Sequence, residues 1–106
     1  MLNDKVEQWF IDRNLHTQDP LKQILKLYEE VTELQQAIIL EDESEIIDAL
    51  GDIQVVLIGL SLQLDIKLDH ALADAYNVIK DRKGKLINGV FVKEEDINKG
   101  DDNEQN

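Results

Sequence analysis

The sequence has no cysteine, one proline and five aromatic residues in a chain of 106 residues. Without cysteine there can be no disulfide and no thiolate metal site, and a reducing cytoplasm is compatible with this composition. Because aromatic residues are few, leucine, isoleucine and valine dominate the apolar set. A chain of this length suggests one domain with a modest hydrophobic core.

Long hydrophobic runs and positive charge are also scarce. The most apolar stretch, Ile53 to Leu64, is shorter than the ~20 residues that a membrane-spanning helix needs, and no signal peptide is visible. With 23 acidic against 11 basic residues, the net charge is −12. Nucleic-acid duplexes and anionic membranes need basic patches, so we predict neither as a partner. The negative charge remains compatible with a small phosphorylated ligand that is held through metal ions. We predict that the protein is cytoplasmic.

Apolar residues recur every three to four positions, which predicts helices. Asp19 and Pro20 form a good helix start, with Asp19 as the N-cap. We assign Ser44 and Asp69 as the N-caps of the next two helices, and Gly84 as the residue that ends the last one. The predicted helices span about 2–13, 20–40, 45–65 and 69–83.

The second and third helices are expected to pack as an antiparallel hairpin, because the loop at 41–43 between them is short. From Ile53 onward the third helix is apolar nearly all round, which predicts that it is the central, most buried helix. On the second helix, the expected core positions step by three and four: Ile24, Leu27, Val31, Leu34 and Ile38.

The segment from Leu86 to Val92 contains Asn88-Gly89 between β-prone residues, which reads as a tight turn. It is too short to make a sheet alone, so we expect an extended arm that packs on the bundle or on another subunit. The predicted fold class is all-α: a four-helix bundle-like protomer with a short extended C-terminal arm, in an oligomer. Residues 1–92 would form the helical domain and 93–106 an acidic, disordered tail.

Carboxylates lie beside the apolar stripes of the two central helices. Glu30 and Glu33 are one turn apart on the second helix. On the third helix three acids share a face that continues as apolar residues: Glu45, Asp48 and Asp52. Carboxylates that face one cleft repel each other, and a divalent cation such as Mg²⁺ resolves that conflict. A metal site between the two helices is therefore one interpretation.

A solvated face is the alternative, because charge runs on helices are usually exposed. For Glu29, Glu30 and Glu33 taken alone it is the commoner explanation. It is weaker for Asp48 and Asp52, which lie on a helix that looks buried. Gly51 and Gly59 lower the helix propensity of the third helix, by roughly 1 kcal/mol each relative to alanine. A close helix approach or a ligand would explain that loss.

The chain resembles the MazG-like, all-α nucleoside triphosphate pyrophosphohydrolases, a superfamily that includes phosphoribosyl-ATP pyrophosphohydrolase and dimeric dUTPases. The resemblance covers about residues 6–92. It is carried by Trp9-Phe10, Asp12-Arg13-Asn14-Leu15, Gln23, Lys26, Glu29-Glu30-Val31, Glu33-Leu34, Asp48-Ala49-Leu50-Gly51-Asp52, Asn77 and Lys80.

The family's carboxylate pattern is EExxE on one helix and ExxD on the next. Glu29, Glu30 and Glu33 match the first half literally. The second half departs from the pattern, because Ala49 stands three residues before Asp52 where the family commonly has glutamate. The acid is instead Asp48, one position before Ala49, and Glu45 with Asp48 makes a literal ExxD.

The resemblance implies hydrolysis of a nucleoside triphosphate between the α and β phosphates, giving a monophosphate and pyrophosphate. It implies Mg²⁺, with Mn²⁺ as a substitute, and a general base that is either Glu29 or Glu33. The implied metal ligands are Glu30, Glu33, Asp48, Asp52 and Glu45. Substrate would be held by Asn77, Lys80 and Lys83, and Trp9 could stack on the base.

Two alternatives stay open: a related enzyme acting on phosphoribosyl-ATP, and a non-catalytic acidic helical module that binds metal or a partner protein. For Asn77 to Lys83 the simpler explanation is a solvated basic turn that complements the helix dipole. For Trp9 it is a core anchor of the first helix. The resemblance also implies a homodimer or homotetramer with sites near subunit interfaces.

Overall fold

Helices dominate the computed structural model, which describes residues 1–97. The all-α prediction is therefore confirmed. None of the helices in that range is long and apolar enough to cross a membrane. The elements are α1 Leu2–Asp12, α2 Pro20–Ile39, α3 Glu43–Gln63, α4 Leu68–Ile79, β1 Gly84–Ile87 and β2 Val90–Lys93.

The chain divides into two compact units, Met1–His70 and the residues from Ala71 onward. In the first unit α3 packs against both α2 and α1. Its side chains also form most of the core, with Ala49, Val56 and Ile58 buried. The predicted hairpin and the central place of the third helix are both confirmed.

The predicted cap of α2 is confirmed, and that of α3 is not. The Asp19 carboxylate accepts a hydrogen bond from the Leu21 N–H at 2.9 Å, with Pro20 in the first turn, as predicted. The assignment of Ser44 as the N-cap of α3 is wrong. Asp42 has the extended backbone of an N-cap, and its Oδ1 accepts from the backbone N–H of Glu45 at 3.2 Å. An aspartate at the loop end therefore starts α3 earlier than predicted.

Gly59 marks a close approach between the three helices. A Cβ at this position would collide with the buried Phe10 ring of α1 and would lie 2.9 Å from the Gln23 amide of α2. The same Gln23 amide donates to the backbone carbonyl of Val56 at 3.2 Å. The predicted reason for a glycine in this apolar helix, a close helix approach, therefore holds at Gly59.

The buried face of α2 differs from the predicted stripe. Val31 and Ile38 are exposed, whereas Glu30 and Ala37 are buried. Ala37 is two turns beyond Glu30 on the same flank of α2, and Glu30 meets Asp52 of α3. The helical period of the stripe is as predicted, but α3 covers a face that is rotated from the centre of the stripe.

Both predicted ends of α4 differ from the structure. The assignment of Asp69 as an N-cap is wrong, because α4 begins one residue earlier and Asp69 lies in its first turn. The assignment of Gly84 as the end of the helix is also wrong, since α4 ends at Ile79 and Gly84 begins β1.

The predicted Asn-Gly turn is confirmed. Asn88 and Gly89 both have positive φ, 51° and 80°, which suits the two-residue turn of a hairpin. Contrary to expectation, the flanking residues pair with each other: β1 and β2 form a two-stranded antiparallel sheet in which Ile87 opposes Val90. Of the predicted tail, Lys93 ends β2 and residues 94–97 are helical, while 98–106 lie outside the described residues.

Candidate metal centre

Three carboxylates from the two central helices converge in the first unit. Glu30, Glu33 and Asp52 each offer an oxygen, and these oxygens lie within 4.8 Å of one another. Glu30 and Glu33 are one turn apart on α2, and the antiparallel hairpin brings Asp52 of α3 opposite them. The structure therefore joins two of the three residues that match the EExxE pattern with the final aspartate of the second pattern.

Glu30 is the most telling member of this cluster. It is only 5% exposed, and among the described residues its Oε2 has no hydrogen-bond partner. An unpartnered buried carboxylate oxygen is costly, and such groups normally have an ion or hydrogen-bond donor against them. The residues present thus fit a hard divalent cation, which takes oxygen ligands of this kind.

The electrostatics of Asp52 point the same way. Burial raises the pKa of the Asp52 carboxyl above its ordinary value, and the nearby charges of Asp48 and Glu30 raise it further. The positive charge of Lys26 opposes the increase. A second positive charge placed among these acids would relieve their mutual repulsion.

Lys26 is a cation beside this cluster. Its Nζ lies 3.3 Å from Glu29 Oε2 and 3.4 Å from Glu30 Oε1. Its hydrogen bond to Glu29, and then that to Glu30, raise the pKa of the Lys26 ammonium. The side chain is itself about half-exposed, so only its partner Glu30 is desolvated.

The other predicted ligands stand around the cluster. Asp48 is near enough to raise the pKa of Asp52, although it does not belong to the group within 4.8 Å in the described part of the chain. Glu45 lies in the first turn of α3 and lines a cavity of about 270 Å³ together with Glu33. Glu29 is exposed and pairs with Lys26.

An apolar cavity of about 280 Å³ lies between α1 and α3, lined by Lys5, Val6, Trp9 and Val55. Val55 is one turn beyond Asp52, so this cavity neighbours the carboxylates along α3. Trp9 is 45% exposed, and the Arg13 guanidinium lies over its ring at 4.2 Å from the centroid. One face of the Trp9 indole is thus covered, and the indole meets the buried Phe10 ring in an edge-to-face arrangement, with the ring centroids 5.2 Å apart.

The remaining predicted substrate residues belong to the second unit. Asn77 is an exposed residue of α4, and Lys80 follows the end of that helix. Lys83 lines a separate cavity of about 240 Å³ with Arg82 and residues at the end of the hairpin.

Two residues near the site were not singled out for these roles from the sequence. Lys26 is four residues before Glu30, the spacing at which side chains on a helix meet, so its ion pair was predictable. The hydrogen bond from the Gln23 amide to the backbone of α3 was not predictable, because no local sequence pattern indicates a hydrogen bond between two helices.

The fold and the site define a class: an all-α protein in which two antiparallel helices present acidic residues suited to a divalent cation. The family model described as phosphoribosyl-ATP pyrophosphohydrolase matches residues 2–82. The chain belongs to this family, within the MazG-like all-α pyrophosphohydrolases. A search of curated proteins and a search of solved structures each found no significant match.

Proposed function

We propose that the protein hydrolyses a nucleoside triphosphate between its α and β phosphates, with Mg²⁺ as the cofactor and Mn²⁺ as a substitute. Family membership supports a pyrophosphohydrolase. The observation that carries the proposal is the buried Oε2 of Glu30, which has no hydrogen-bond partner among residues 1–97 and belongs to a group of three convergent carboxylates. An acidic surface that merely solvates a helix would not bury one of its glutamates.

Glu30, Glu33 and Asp52 would hold the metal, with Asp48 and Glu45 as further ligands when substrate is bound. A divalent cation held there would supply positive charge for the phosphate oxygens and would lower the pKa of a water bound to it. The protein's part is to fix these carboxylates on two rigid helices, so that little reorganisation is needed when substrate arrives.

Of the two candidates for the general base, we propose Glu29. Glu33 already contributes an oxygen to the cluster, whereas Glu29 is on the same helix but outside the group within 4.8 Å. The general base must be free to accept a proton from the attacking water, so it should not also be a metal ligand. Glu29 meets this condition, because its carboxylate is not one of the three that converge.

The cavity beside Trp9 is the proposed site for the nucleobase. Its lining is almost wholly apolar, and it lies one helical turn along α3 from Asp52. Because Arg13 covers one face of the indole, the other face is the one on which a flat base can stack. Asn77, Lys80 and Lys83 are proposed to bind phosphate oxygens, which lysines recognise as point charges.

Phosphoribosyl-ATP is the second candidate substrate, and the description of the matching family favours it. Both candidates would be cleaved at the same bond by the same carboxylates, so the metal centre does not separate them. They differ at the base end, where phosphoribosyl-ATP carries a further sugar phosphate that needs room and positive charge.

We also propose that the protein works as a homodimer or homotetramer. A groove on α2, lined by Val31, Leu34, Gln35, Ile38 and Ile39, has a volume of about 280 Å³ and is almost wholly apolar. Three of its large aliphatic residues are exposed. Apolar surface of this kind marks an interaction site, and a second copy of the chain would cover it.

The cytoplasmic location stays a prediction from composition.

The test is pyrophosphate release measured over the common ribo- and deoxyribonucleoside triphosphates and phosphoribosyl-ATP, with and without Mg²⁺. We expect metal-dependent turnover on at least one triphosphate. Turnover on phosphoribosyl-ATP alone would establish the second candidate. Metal binding without turnover on any substrate would leave the non-catalytic module as the correct account.

A further inference from the structure

The ammonium of Lys26 pairs with Glu30, so a metal ion that bound Glu30 would have to compete with it. Its Nζ is 3.4 Å from Glu30 Oε1, and Glu30 is the buried member of the carboxylate cluster. The other oxygen of Glu30, Oε2, has no partner in the part of the chain that the structure describes. Among residues 1–97, one oxygen of Glu30 is therefore paired with a lysine and the other has no hydrogen-bond partner.

The charges in this place explain why the lysine is there. Glu30, Glu33 and Asp52 bring three negative charges together, and a group of this kind repels itself in the folded chain. The ammonium of Lys26 offsets part of that repulsion through Glu30. A divalent cation entering the cluster would do the same work more strongly, and it would repel the ammonium at this short range.

We propose that Lys26 is the resident counter-cation of the metal-free cluster, and that it releases Glu30 when the metal binds and turns to a phosphate oxygen of the substrate. The inference rests on the proposed function for its second step only. A lysine suits both steps, because its flexible stem carries a compact charge that can move by several ångströms. It acts as a positioning residue on the empty site and as a substrate ligand on the loaded one.

The first test measures metal affinity in the absence of nucleotide. Mn²⁺ and Mg²⁺ are titrated by calorimetry into the wild type, Lys26→Met and Lys22→Met. Lys22 is exposed on the same helix one turn earlier, and no ion pair involves it among residues 1–97. It therefore controls for the loss of one positive charge at a distance.

We expect Lys26→Met to bind the metal roughly three- to tenfold more tightly than Lys22→Met, because the competing cation is gone. Equal affinities in the two variants would overturn the proposal. Weaker binding by Lys26→Met would also overturn it, since Lys26 would then be helping to orient the ligand rather than competing for it.

The second test uses inorganic triphosphate with saturating Mg²⁺, so that the nucleobase has no part in the result. Lys26→Met should bind it about tenfold more weakly than Lys22→Met, the scale of one lost charge-assisted contact, and Lys26→Arg should restore most of the affinity. Unchanged affinity would overturn the second step. Both tests read binding alone, so absence of turnover would sink the proposed function without altering the result on the counter-cation.

Discussion

Glu30 of α2 and Asp52 of α3 offer carboxylate oxygens within 4.8 Å of each other across the central hairpin. The charge of Glu30 is among the causes that raise the pKa of Asp52. The same juxtaposition that would suit a metal ion therefore costs the metal-free fold some of its stability. This opposition between metal binding and apo stability can be measured.

Asp52→Asn should make the metal-free protein more stable at neutral pH. Since folding raises the pKa of Asp52 above its ordinary value of 3.8, the folded state holds a proton more tightly than the unfolded state. By linkage, this group's contribution to stability falls as pH increases through the interval above 3.8. The variant lacks that loss, so its melting temperature at pH 7 should exceed that of the wild type by a few degrees.

Added Mg²⁺ should reverse this order. A ligand that binds only the folded state increases its stability with concentration, and Asp52→Asn removes one of the oxygens that would bind it. Thermal melts at pH 4 to 8, with EDTA or with Mg²⁺, check both statements. A variant less stable than the wild type in EDTA would contradict the electrostatic account.

Two glycines of α3 should respond in opposite directions to the same change. Gly59→Ala places a methyl group against Phe10, and overpacking of this kind costs roughly 1–3 kcal/mol. At Gly51 no atom of residues 1–97 outside its own helix turn lies within 4 Å of an added Cβ. Gly51→Ala should therefore stabilise the fold by about 0.5–1 kcal/mol, through helix propensity. Urea unfolding of both variants is the measurement, and similar effects at both sites would refute the packing argument.

Trp9→Leu should weaken nucleotide binding without changing the metal centre. Loss of base stacking costs ~1–3 kcal/mol, so KM should increase at least fivefold while Mn²⁺ affinity and affinity for inorganic triphosphate stay at wild-type values. Trp9→Phe keeps an aromatic face and should retain most of the binding. If KM is unchanged in Trp9→Leu, the indole serves only to anchor α1.

Ile38→Asp should dissociate the proposed oligomer, because it places a charge in the apolar groove of α2. Leu2→Asp is the matched control, since Leu2 is an exposed apolar residue at the start of α1, outside that groove. Light scattering on the two variants and the wild type gives the mass of each. Equal masses for wild type and Ile38→Asp would show that this groove is not the subunit interface.

The sequence was most informative where a local signal and the tertiary structure agree. The start of α2 at Pro20 follows from local chemistry, as does the turn at Asn88 and Gly89. The central place of α3 follows from its continuous apolar run. The start of α3 was misplaced because Asp42 and Ser44 are both good caps, and only the backbone of the loop decides between them.

The residues of the candidate site were predictable from the sequence, but their burial was not. Helical spacing and the family pattern together selected Glu30, Glu33 and Asp52. That Glu30 would be buried was not predictable, since the stripe of α2 pointed to Val31 and Ile38 as the covered residues. Which face of an amphipathic helix is covered depends on its neighbours, and here α3 lies over the acidic flank.

The central claim is that this carboxylate cluster is the metal centre of a pyrophosphohydrolase. Its most direct test is Mg²⁺-dependent pyrophosphate release by Glu33→Gln and Asp52→Asn on the wild type's best substrate. Glu43→Gln, in the exposed first turn of α3, is the control for loss of one acid. We predict that both site variants lose turnover by at least about a hundredfold, with helicity unchanged by circular dichroism, while the control keeps it. Full turnover in both site variants would contradict the assignment.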